Sequence, residues 1–119
     1  MSYFATFHGN ICFEQDIESD KEASEKVLGM LYNAYGIDVN DSDIEINICQ
    51  DICNIDLMCA VDYDEDEVLR ALETLNWEFK LVSGEIRYQG EDESLWRHIL
   101  INTPNGNVWV EQEGFVCYR

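Results

Sequence analysis

Apolar and polar residues alternate with period two from Tyr3 to Phe13, where Tyr3, Ala5, Phe7, Ile11 and Phe13 fall on one side. That pattern predicts a strand with one buried face, and Gly9 within it marks a bulge or a close backbone approach. The period then lengthens. Ser19-Asp20-Lys21-Glu22 has the spacing of a capping box, which would make Ser19 the N-cap of a helix. Ala23, Val27, Leu28, Leu31 and Ala34 or Tyr35 recur at helical intervals as far as Gly36, a natural C-terminal stop.

Alternation returns at Asp43 to Cys49, with Ile44, Ile46 and Ile48 on the inner side, and again at Ile55, Leu57, Cys59, Val61 and Tyr63. With a turn near Gln50 to Asn54, these runs predict a hairpin that projects Glu45, Asn47, Asp56 and Asp62 outward. Asp64 to Glu67 places acids where a helix dipole favours them, and Val68, Ala71, Leu72 and Leu75 supply the buried stripe of a helix ending near Asn76. Strand character resumes at Trp77 to Tyr88, with Ser83-Gly84 as a bulge or bend, and continues at Leu95 to Ile101 and Val108 to Glu111. Thr103-Pro104-Asn105-Gly106 is a strong turn signal between the last two, and Phe115 to Tyr118 predicts a short closing strand.

This order predicts one α+β domain over residues 1–119: a ferredoxin-like βαββαβ core extended by C-terminal antiparallel strands, with two helices on one sheet face. A faint internal echo fits that scheme. Phe7-His8-Gly9-Asn10-Ile11-Cys12-Phe13 is similar to Val82-Ser83-Gly84-Glu85-Ile86-Arg87-Tyr88, at the first and fourth strands.

Charge changes the picture more than composition does. Hydrophobic residues make up 46% of the 119, enough for one core, yet 25 acids face 7 bases for a formal charge of -18. No Lys or Arg falls between Lys26 and Arg70, and eleven acids lie from Asp38 to Glu67. The segment reads as packed structure with an anionic outer face. Such a surface disfavours nucleic acid and anionic membrane and favours a basic partner, a divalent cation or plain solubility. No secretory signal or membrane-length apolar run is evident, so a cytoplasmic protein is expected, its five cysteines reduced and buried.

Gly84-Glu85-Ile86-Arg87-Tyr88-Gln89-Gly90-Glu91-Asp92, followed by Leu95-Trp96-Arg97, resembles a signature of small uncharacterised bacterial and phage proteins. The resemblance covers Gly84 to Arg97 and implies no activity. It implies a phage or mobile-element origin, a setting in which small acidic inhibitors such as anti-CRISPR proteins are found.

Catalysis is not expected. His8 and His98 both fall in predicted strands, and nucleophile elbows, phosphate-binding glycine loops and zinc-protease helices are missing. Asp62, Asp64, Asp66 and Glu73 match positions one, three, five and twelve of an EF-hand loop, but Glu67 stands where that loop needs Gly; helix capping accounts for these acids better. Cys49, Cys53 and Cys59 lack a second paired motif, although Cys49 and Cys53 flank the hairpin turn and are placed to approach each other. No cofactor or metal is expected.

The sequence therefore points to partner binding. Carboxylates on one side of a strand repeat at about 6.6 Å, an array able to imitate duplex phosphates and fill the basic groove of a nucleic-acid-binding host enzyme. Asp43, Glu45, Asp56, Asp62, Asp64, Glu65, Asp66 and Glu67 are the candidate contacts. Trp96 and Trp109 are a second candidate surface: an aromatic patch suited to a protein partner if the helices leave their face open, or else residues that pack a second small core or a homodimer seam. An immunity-type protein that neutralises a basic toxin would use the same acids. A structural or cation-binding acidic domain would use them only for capping and solubility.

Overall fold

A computed structural model describes residues 5–36, 44–60, 64–90 and 92–114. Within them the chain forms β1 (Ala5–Phe13), α1 (Lys21–Ala34), β2 (Ile44–Cys49), β3 (Ile52–Ala60), α2 (Glu65–Glu78), β4 (Leu81–Gly90), β5 (Leu95–Thr103) and β6 (Gly106–Glu113). The six strands make one antiparallel sheet in the order β2-β3-β1-β4-β5-β6, so the protein is α+β. The expected closing strand at 115–118 and the candidate contacts Asp43 and Asp62 lie outside the described residues.

Burial follows the period-two pattern. One inner row across the sheet runs Ile46, Ile55, Gly9, Ile86, His98 and Glu111, each residue directly opposite the next. The neighbouring outer row, Asn47, Asn54, Asn10 and Glu85, is exposed or half-buried. Val27 and Leu31 of α1 and Val68, Leu72 and Leu75 of α2 join the inner residues in a single cluster, so both helices cover the same sheet face. Each fully buried Phe, Leu or Ile here contributes about 1.5–3 kcal/mol.

Local chemistry sets the helix ends, with two corrections. The N-cap of α1 is Asp20, not Ser19: the Asp20 carboxylate accepts the Ala23 N–H at 3.1 Å, while the Ser19 hydroxyl donates back to the Asp16 carbonyl. The second correction concerns Trp77. It ends α2 instead of starting a strand, because nothing stops the helix until Phe79, whose N–H bonds the Leu75 carbonyl before the backbone extends. Phe79 then meets Phe13 edge-on at 5.8 Å, and Trp77 is left 88% exposed.

The internal echo is a packing device. β1 and β4 are antiparallel neighbours, and Gly9 lies opposite Ile86 while Ile11 lies opposite Gly84. The two Gly-x-Ile stretches thus face each other head to tail; the absent side chain of Gly9 lets the β4 backbone at Glu85 and Ile86 come close, and that of Gly84 leaves room for the Trp109 ring. The irregularity expected at Ser83-Gly84 falls beside them, where the ladder slips between Cys12 and Phe13 on one strand and Ser83 and Leu81 on the other.

Candidate functional site

The fold divides the acids that the sequence groups together. Asp56 projects from β3 on the uncovered sheet face, where its carboxylate lies 3.0 Å from His8 Nδ1. Glu45 is its neighbour in the ladder on β2. Continuing along this outer row, His8 is followed by Arg87, Arg97 and Gln112. Glu85 clamps both guanidiniums, at 3.2 Å from Arg87 Nε and through a short contact to Arg97 Nη1, and Arg97 Nε donates to Gln112 at 2.7 Å. The outer face therefore carries basic groups beside Asp56 and is not uniformly anionic.

Asp64, Glu65, Asp66 and Glu67 sit in the other layer. Asp64 is the N-cap of α2, accepting the N–H groups of Asp66 at 3.0 Å and Glu67 at 3.3 Å. Glu65, Asp66 and Glu67 fill the exposed first turn, where the dipole stabilises them. Five of the seven bases are committed to other acids: Lys21 to Glu25, Lys26 to Glu78, Lys80 to Glu14, and Arg87 and Arg97 to Glu85. Among the described residues no ion pair reaches this first turn.

Residues from the far end of the chain complete the site. Glu65 hydrogen-bonds Glu111 of β6, and Glu113 lies two residues further along the same strand face. Together with Trp96, Leu95 and Gly114 they line a cleft of about 390 Å³. Partial burial and the two neighbouring carboxylates push the Glu111 carboxyl up to about 7, so near neutrality a proton is held between Glu65 and Glu111. The hydrophobic pattern of β6 gives no hint of this pairing, because Glu111 reads as an ordinary strand-end polar residue until α2 is laid over it.

Beneath the cleft lies a buried polar chain. The hydroxyls of Tyr35 and Tyr88 are hydrogen-bonded at 2.9 Å, and the Tyr88 hydroxyl meets His98 Nδ1 at 2.7 Å. Tyr88 also stacks on Trp96 at 5.2 Å and meets Phe7 edge-on at 4.9 Å. Burial drives His98 down to about 4 against the pull of Glu65, so its imidazole is neutral at physiological pH.

This geometry decides between the two readings of Trp96 and Trp109, in favour of core packing and against an open aromatic patch. Both are core residues, 8% and 7% exposed, because the helices cover their face. Trp109 reaches across to Gly84, whose missing side chain leaves the space its ring occupies: a Cβ there would stand 2.5 Å from the indole. They are not available to a partner as an open patch.

The cysteine expectation also changes. Cys49 is exposed and Cys53 buried, since the two-residue turn at Gln50 and Asp51 pairs Cys49 with Ile52 and puts Cys53 on the opposite face. Desolvation raises the Cys53 thiol to about 12, which makes it inert. Among the described residues no group of three or more His, Cys, Asp or Glu is placed to hold a metal ion, and no helix is long and apolar enough to cross a membrane.

Scans of family models, curated proteins and solved structures find no match to this chain.

Proposed function

We propose that this protein is a non-enzymatic inhibitor, encoded by a phage or mobile element, that acts in the host cytoplasm by occupying the basic nucleic-acid-binding surface of a host protein. The observation that carries this reading is the convergence of Glu65, Glu111 and Glu113 on one cleft beside the first turn of α2, which no ion pair reaches among the described residues. A lysine or arginine side chain entering there would displace the proton that Glu111 holds near neutrality and neutralise these carboxylates. Binding would be steered by charge and weakened by salt, as expected of a protein that stands in for phosphates. The ferredoxin-like assignment belongs to the same proposal. It is supported by the β2-β3-β1-β4 order, with α1 linking β1 to β2 and α2 linking β3 to β4.

Charge reversal tests the proposal. Glu65, Asp66 and Glu67 are exchanged for Lys while Asp64 is kept, because losing the N-cap would itself cost about 1 kcal/mol and confuse the result. Host proteins are captured on both chains and eluted by a salt gradient. A basic nucleic-acid-binding protein released from the original chain at moderate salt, and bound at least about tenfold more weakly by the exchanged chain, is the expected outcome. Equal retention by both chains would sink the acidic-surface model.

A further inference from the structure

The opposite end of α2 carries a second feature that partner binding at its start does not use. Trp77, in the last helical turn, is 88% exposed and borders a cleft of about 740 Å³ between that turn, the start of β4 and the β5–β6 turn. A lone exposed apolar side chain needs no ligand. Here, however, the indole shares one concave surface with four amides, those of Asn76, Asn102, Asn105 and Asn107.

Two of these amides are fixed by backbone. Asn76 Nδ2 donates to the Asn107 carbonyl at 2.6 Å, and Asn107 Nδ2 donates to the Leu81 carbonyl at 2.8 Å, tying α2, β4 and β6 into one rigid rim. Among the described residues nothing engages the side-chain amides of Asn102 and Asn105, which are exposed at the cleft. The charged lining groups are Glu14 and Lys80, and they pair with each other at 3.8 Å. The cleft is thus electrically neutral in a chain of charge -18.

We propose that this cleft binds a neutral pyranose unit of a carbohydrate. A flat aromatic ring beside amides is the surface a sugar requires. The axial C–H groups of one pyranose face cover the indole, and hydroxyls, each both donor and acceptor, meet amides that offer both roles. Carboxylates elsewhere on the protein only accept. A nucleotide fits the ring equally well, but its phosphate would be repelled by the surrounding charge, whereas a neutral sugar incurs no such cost. Rigid supporting contacts around the amides limit what ordering the ligand must overcome.

The test is a titration of the full chain, followed by proton–nitrogen correlation spectroscopy. The probes are the methyl pyranosides of glucose, galactose, mannose and N-acetylglucosamine and the trisaccharides maltotriose, cellotriose and chitotriose. Saturable shifts confined to the Trp77 indole N–H and the Asn102 and Asn105 side-chain amides are expected with at least one probe. Trp77→Ala, at a site too exposed to unsettle the core, should weaken that binding about tenfold or more, and the Asn102→Ala/Asn105→Ala double variant should weaken it independently. The proposal is overturned if no probe produces saturable shifts, or if Trp77→Ala binds as well as the original chain. It is equally overturned if the Trp77 resonance responds only to protein concentration, which would mean that a second copy covers the indole. Charge reversal at the start of α2 leaves this readout unaffected, so the two proposals fail separately.

Discussion

Gly9→Ala is expected to destabilise the protein by about 3 kcal/mol, a large part of the roughly 5–15 kcal/mol that holds a domain of this size together. An alanine Cβ at this position would stand 2.1 Å from the Glu85 carbonyl oxygen and 2.6 Å from the Ile86 Cα. Both obstacles are backbone, so no side chain can swing away. Relief would require β1 and β4 to separate, and β1 is held on its other edge by β3. Urea unfolding monitored by circular dichroism should show a lower midpoint with an unchanged slope. Gly29→Ala is the matched control: nothing lies within 4 Å of its Cβ, and removing a glycine from the middle of α1 should stabilise by about 1 kcal/mol. If Gly9→Ala leaves the midpoint unchanged or raises it, the close approach of β1 and β4 is wrong.

The second large effect is on pH dependence, where two groups act with opposite sign. His98 is held at about 4 in the fold against 6.5 in the unfolded chain. Between those values the unfolded chain takes up a proton that the folded protein refuses, so stability falls as pH drops from 6.5 towards 4. At full effect this displacement is worth about 3 kcal/mol. Glu111 behaves in reverse. Its carboxyl is held at about 7 against 4.5, so the folded protein binds the extra proton and stability falls as pH rises through that window. The two slopes partly cancel, giving a flatter profile than either group alone would produce.

Glu111→Gln should expose the His98 contribution. The variant is expected to be more stable than the original above pH 7, where the carboxylate repulsion with Glu65 and Glu113 is lost, and to show a steeper loss on acidification. Urea midpoints collected from about pH 4 to 8 give the comparison directly. Parallel profiles for the two proteins would show that Glu65 and Glu111 do not share a proton in solution. The hydroxyl chain from Tyr35 through Tyr88 to His98 gives an independent check, because the His98 ring should titrate in the original protein only near pH 4.

Much of the architecture was legible from residue order because periodicity is a local property. Ile44-Ile46-Ile48 and Phe7-Ile11-Phe13 can bury one side only as strands, and Val68-Leu72-Leu75 can do so only as a helix. The misreadings arose where a local signal had two outcomes. Ser19 and Asp20 are both good caps, and the Asp20 carboxylate takes the Ala23 N–H while the Ser19 hydroxyl turns back to the Asp16 carbonyl. Trp77 has strand propensity, yet the absence of a stop signal let α2 run past it.

The candidate site was less legible. Asp64 to Glu67 were readable as a helix start rich in acid, but Glu111 and Glu113 lie more than forty residues away, and nothing in β6 announces their partner. Only the placement of α2 over the outer strands brings these carboxylates together and raises the proton affinity of Glu111. The same placement buries Trp96 and Trp109, and the pleat of the hairpin sends Asp56 to the face opposite α2.

Composition and periodicity by themselves determined the excess negative charge, the helices and strands, and which side of each element is apolar. Tertiary structure alone decided which charges converge, which aromatics remain in contact with water, and which thiol is inert. The reason is physical: burial and patterning act over a few residues of chain, whereas Coulomb interaction and desolvation depend on distances through space that residue order does not encode.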